Sequence, residues 1–66
     1  MFKDISKFID GADTIWVNTQ SIKTISISNN DGSYQVKIVF IDNSDDIYIN
    51  CKDRAEANRI IHDIVF

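Results

Sequence analysis

The chain is predicted to be one α+β domain: a four-stranded antiparallel meander with a C-terminal amphipathic helix and a short N-terminal helix. Three observations predict it. Thirteen of the 66 residues are isoleucine, with no leucine and no proline, and β-branched side chains suit a pleated sheet better than a helix. Through the middle, short runs of alternating apolar and polar residues are parted by clusters of Asn, Asp, Gly and Ser, which is how strands joined by turns read. From Asp53 onward the apolar spacing changes from two to 3.6, so a helix replaces the strands.

Each element has its own signal. Phe2, Ile5 and Ile9 fall at i, i+3 and i+7, with Phe8 beside them and Gly11 at a C-cap position, which predicts a helix over residues 2–10 that must dock its apolar face to persist. "TIWVNTQSIKTISIS" predicts a strand over 14–18, a polar turn from Asn18 to Ser21 and a strand over 22–28. "NNDG" is the strongest turn signal, because Asn, Asp and Gly accept the positive φ of tight hairpins. "SYQVKIVFI" is the hairpin's second arm, "DNSDD" a further turn and "IYINC" the fourth strand. Asp53 with Glu56 makes an Asp form of the capping box, and Ala57, Ile60, Ile61, Ile64 and Val65 draw one apolar stripe.

Composition narrows the function classes. A domain of this length, 1–66, buries only about 60% of the surface its unfolded chain exposes, so a second subunit would add core that it lacks. Seven Lys and Arg against ten Asp and Glu give a net charge of −3, and the basic residues are scattered. That distribution speaks against duplex nucleic acid as a partner. A lone cysteine excludes an internal disulfide, and "MFKDISKFID" holds no apolar run; both point to a soluble, cytoplasmic protein and away from a membrane.

The residues that could carry chemistry give little. His62 lies on the flank or outer face of the last helix, where a surface role is expected. Cys51 shares strand parity with Ile47 and Ile49 and reads as a buried small hydrophobe, although a position before a helix N-terminus beside Lys52 and Arg54 is one where a thiol can be activated. One Cys and one His are two ligands short of a structural zinc site. Asp42, Ser44, Asp46 and Asp53 fit positions 1, 3, 5 and 12 of a calcium loop, but Ile47 stands where the loop needs glycine. No metal, no cofactor and no enzymatic activity is implied.

A surface is the more informative feature. Tyr34, Val36, Ile38 and Phe40 alternate to one face of the third strand, while Gln35, Lys37, Val39 and Ile41 take the other. With the C-terminal helix on the first face, Trp16, Val39, Ile41 and Tyr48 are expected to line the back of the sheet. Such an apolar patch calls for a cover: the N-terminal helix, a second copy of the chain, or another protein. The function expected is therefore a non-enzymatic interaction module, homodimeric, binding another protein through the aromatic face or an exposed strand edge. The alternative is a small-molecule or nucleotide binder, in which Trp16, Tyr34 or Tyr48 stacks a base and Lys23 or Lys37 meets a phosphate.

The runs "WVNTQSIKTI", "YQVKIVF" and "EANRIIHDI" resemble small uncharacterised proteins of low-GC bacteria and their phages, built as a β-meander with a closing helix. The isoleucine-, asparagine- and lysine-rich composition accords with an AT-rich genome. The resemblance implies a fold and no site residues; an origin in a phage or mobile element would make inhibition of a host protein a natural role.

Overall fold

The "NNDG" turn anchors the register of the sheet. In the computed structural model, which describes Met1–Phe66 apart from residues 10, 12 and 43, Asp31 and Gly32 have φ of 52° and 85°. Positive φ at both central positions is the type I′ turn, whose twist matches that of the strands it joins. It links β3 (Ile22–Asn30) to β4 (Ser33–Phe40), with Asn30 paired to Ser33 and Ile27 to Val36. Between Ile22 and Thr24 the register slips, which leaves Lys23 as the extra residue of a β-bulge. β4 then pairs antiparallel with β5 (Ile47–Cys51), Val36 opposite Ile49 and Lys37 opposite Tyr48. The sheet order β3-β4-β5 is thus the last three strands of the expected meander.

The N-terminal segment departs from expectation. Where an α-helix over 2–10 is predicted, there is a strand, β1 (Phe2–Asp4), followed by a 3₁₀ turn over Ser6–Phe8; the expected helix end at residue 10 lies outside the described residues. The expected first strand forms as β2 (Trp16–Asn18), but it pairs with β1 in a separate two-stranded sheet and does not join β3. The reason is the weakness of the local alternative. A helix of about nine residues makes only a few i→i−4 bonds after a costly nucleus. Pairing with β2 satisfies backbone groups of both segments, and bonds from Ile5 N–H to the Ile15 carbonyl (2.9 Å) and from Thr19 N–H to the Met1 carbonyl (2.8 Å) extend it. Asp4 Oδ1 accepts the Ser6 N–H at 2.9 Å, an Asx-type contact that starts the 3₁₀ turn.

The C-terminal helix, α1 (Arg54–Val65), begins where the capping residues place it. Asp53 is extended and its Oδ1 accepts the Glu56 N–H at 2.8 Å. Glu56 reaches back to the Lys52 N–H at 3.3 Å, one residue beyond the capping-box partner. At the other end Lys3 Nζ donates to the Asp63 carbonyl, a cation where the helix dipole favours one.

One core results. Val36 and Ile38 of β4, Ile49 and Cys51 of β5, and Ala57, Ile60 and Ile64 of α1 close on each other, joined by Ile5 and Val17 from the N-terminal sheet. The N-terminal segment and α1 therefore lie on the same side of the three-stranded sheet. Neither covers the side bearing Gln35, Lys37 and Val39. Among the described residues no polar or charged side chain is buried.

Candidate functional site

The four residues expected to line the back of the sheet fall into separate places. Val39 and Tyr48 share the outer face of the three-stranded sheet: Tyr48 is opposite Lys37, which makes it a diagonal neighbour of Val39. Ile41 follows β4 in the turn and is 64% exposed. Trp16, 62% exposed, belongs to the β1-β2 sheet, since Val17 takes the inward position and sends its neighbour outward. Lys37 Nζ stands 5.8 Å from the centre of the Tyr48 ring and 3.7 Å from Asp46 Oδ2. Tyr34 packs half-buried against the core on the opposite face of β4 from Lys37, and Lys23 sits at the bulge on the edge of β3. Tyr34 and Lys37 thus cannot grip one ligand from the same side.

The outer face itself is largely polar. Gln35 Nε2 donates to Asn50 Oδ1 at 3.2 Å, and Thr24, Ser26 and Ser28 continue the face across β3, each in register with an outward residue of β4. Half-buried Val39 and Tyr48, at 51% exposure, are its apolar members.

The edge of β5 offers more. Its register can be followed bond by bond from the type I′ turn, whose flanking pair Asn30–Ser33 is the hydrogen-bonded one. Alternation then directs the backbone groups of Ser33, Gln35, Lys37 and Val39 toward β3; the Ile41 N–H, donated to the Ser21 carbonyl at 2.9 Å, keeps the same parity. Tyr34, Val36 and Ile38 are left to bond β5 at Cys51, Ile49 and Ile47. The N–H and C=O groups of Tyr48 and Asn50 accordingly point away from the sheet. β5 is the last strand of its sheet, so among the described residues these groups have no strand to pair with.

They open into a cleft of ≈ 680 Å³. Tyr48, Ile49 and Asn50 form one wall; Glu56, Arg59, Ile60 and Asp63 of α1 and Lys7, Phe8 and Ile9 of the 3₁₀ segment form the others. Its apolar surface comes from Phe8, Ile9 and Ile60, while its rim carries both signs of charge, with Lys7 Nζ 3.9 Å from Asp63 Oδ2. Depth and backbone donors combine here as they do where extended peptides add a strand to a sheet.

The residues with reactive side chains take structural parts. Cys51 is free and buried, its Sγ 3.6 Å from the Ile49 carbonyl. Burial, and then the nearby Glu56 carboxylate, push its thiol above the ordinary value, the opposite of what a nucleophile needs. His62 is exposed and packs on Phe66 with ring centroids 4.8 Å apart. Asp42 accepts both the N–H and the hydroxyl of Ser44, at 3.1 and 2.6 Å, Asp46 meets Lys37, and Asp53 caps α1. Among the described residues no three acidic, His or Cys side chains converge to hold a metal, and no helix is long and apolar enough to cross a membrane. The centre of the "DNSDD" turn, residue 43, lies outside the described residues.

Sequence reading marked Tyr48 but missed Asn50, Lys7, Phe8, Ile9 and Arg59. Their signal exists in part: Tyr48 and Asn50 share parity, and Arg59 flanks the helical apolar stripe. What assembles them is the strand order, which leaves β5 at an edge. No protein-family model, curated protein or solved structure matches the chain, so the geometry of this cleft and of the sheet edges is the ground on which function is read.

Proposed function

We propose that the chain is a non-enzymatic, homodimeric interaction module that captures an extended segment of another protein along the open edge of β5. The observation that carries the reading is the pair of outward-facing backbone positions, Tyr48 and Asn50, at the wall of a cleft closed on its far side by α1 and the Ser6–Phe8 turn. A strand laid there antiparallel makes about four backbone hydrogen bonds, two at each position. Its residue opposite Ile49 faces the apolar surface of Phe8, Ile9 and Ile60, and the residues opposite Tyr48 and Asn50 face the polar outer side. The partner segment is therefore alternating, with an apolar central residue between polar ones. The cleft is recessed between a helix and a turn, which suits a single extended chain better than the edge of a second folded sheet. An origin in a phage or mobile element would make that segment part of a host protein.

The test uses a random heptapeptide display library selected on the immobilised chain, with enriched peptides titrated against the wild type and two variants. Asn50→Pro removes an outward N–H and leaves the β4-β5 ladder intact, since proline is tolerated on an edge whose N–H faces out. Binding should weaken about tenfold, the loss of one hydrogen bond worth roughly 1–1.5 kcal/mol, with the circular dichroism spectrum unchanged. Ser26→Ala, on the outer face of β3 and outside the cleft, should bind as the wild type does. Enriched peptides that bind Asn50→Pro undiminished would refute the edge-pairing reading.

A further inference from the structure

The other edge of the sheet is built differently. Among the described residues β4 is the one strand that β3 hydrogen-bonds to, and the same alternation that turns Tyr48 and Asn50 outward on β5 turns the backbone groups of Ile25, Ile27 and Asn29 outward on β3. α1 lies over β4 and β5 rather than β3. Ile22, Ile25 and Ile27 consequently reach the core but stay half-buried, an incomplete rim to a small core.

We propose that a second copy of the chain completes it, β3 pairing antiparallel with β3 about a two-fold axis at Ile27. Two independent features select that register. After the bulge at Lys23, the regular part of the strand runs from Thr24 to Asn30, and Ile27 is its midpoint, so self-pairing there uses all of it. The charges agree: from Lys23 to Asp31 the only charged residues are those two, and each stands four positions from Ile27 on opposite sides. Antiparallel pairing about Ile27 brings each Lys23 to Asp31 of the partner subunit, twice by symmetry. A shift by two residues sets Lys23 against Asn29 instead and leaves both charges without partners.

The remaining pairs fit. Ser26 meets Ser28 and Thr24 meets Asn30 on the outer face, with no like charges opposed. On the inner face Ile27 stands opposite Ile27 of the partner subunit and diagonal to its Ile25, which extends the apolar rim across the axis, while Ile25 stands opposite Asn29 of the partner subunit. About six inter-chain backbone bonds form, two at each of the three outward positions, and the two sheets become one continuous sheet. Lys23 and its bulge then have a double role, guarding the edge against other strands in other registers and pairing only in this one. This inference supplies the surface for the self-association in the preceding reading and makes no use of the β5 cleft.

Light scattering coupled to size-exclusion chromatography, together with amide hydrogen exchange at high and low concentration, tests it. The expected mass is twice the 7.6 kDa of the chain, and the N–H groups of Ile25, Ile27 and Asn29 should be protected at high concentration and lose that protection on dilution. Lys23→Asp sets like charges together and should weaken the dimer at least tenfold; adding Asp31→Lys should restore it, with folding followed by circular dichroism. A dimer in which those three amides exchange freely at every concentration overturns the β3 assignment and leaves the homodimer standing. A chain that stays at 7.6 kDa at high micromolar concentration overturns both.

Discussion

Replacing Ile5 by alanine, beside Phe2 replaced by alanine, separates the observed N-terminal segment from the helix that its spacing suggests. On a helix, Phe2 and Ile5 lie three positions apart on one face and share one docking surface. In the structure Ile5 is fully buried in the core, whereas Phe2, in β1, is 64% exposed. Ile5→Ala removes three carbons from a site with no access to water, about 2.4 kcal/mol at roughly 0.8 per methylene, and the cavity left behind carries typical losses to 2–5 kcal/mol. At roughly 0.05–0.15 kcal/mol per residue the whole domain has only about 3–10 kcal/mol. Ile5→Ala should therefore take a large share of the stability and lower Tm by about 8–40 °C, at 4–8 °C per kcal/mol for domains of this size. Phe2→Ala should cost about 0.5 kcal/mol or less. Urea unfolding followed by far-ultraviolet circular dichroism is the assay, because exposed Trp16 is a poor reporter of the core. Equal losses for the two variants, or a loss below 1 kcal/mol for Ile5→Ala, would refute the packing described for this segment.

Three further outcomes are expected. Asp53→Ala removes the acceptor for the Glu56 N–H and should cost about 1 kcal/mol by thermal unfolding, with Asp53→Ser recovering most of it. The Cys51 thiol, buried and raised above its ordinary value by desolvation and then by Glu56, should react with a disulfide reagent only as fast as the domain opens; because the folded value is the higher, its contribution to stability is present at neutral pH and lost as pH rises through the folded value. Asp4 and Asp42 are both held below the ordinary carboxylate value, Asp4 chiefly by the Ser6 N–H and Asp42 chiefly by the Ser44 hydroxyl, so their contributions are present above the unfolded value and fade as pH falls through the folded ones. Carboxyl-carbon NMR titration should show both inflecting below 3.8, and Asn substitution at either should flatten the loss of stability below about pH 4.

Much of this molecule is local chemistry and was legible in the letters. Asp31 and Gly32 accept the φ of a type I′ turn whatever surrounds them, which sets the β3-β4 hairpin and its register. Asp53 and Glu56 start α1, and the stripe of Ala57, Ile60 and Ile64 determines which side of it is buried. The alternation in β4 and β5 separates Val36, Ile38, Ile49 and Cys51 from Gln35, Lys37, Tyr48 and Asn50. These features depend on neighbours within a few residues, which is why spacing reveals them. The residues from Met1 to Asn18 are different: their pattern admits a helix, and what decides against it is a bond partner more than ten residues away. That non-local pairing carries Ile5 and Val17 to the side already occupied by α1, leaves the outer face open and places Trp16 in a different sheet from Tyr48. The strand order, which no local rule encodes, leaves β3 and β5 as edges and makes their unpaired backbone groups the candidate binding surfaces. Side-chain spacing reports which way a residue faces; only the completed sheet reports which backbone groups remain without a partner.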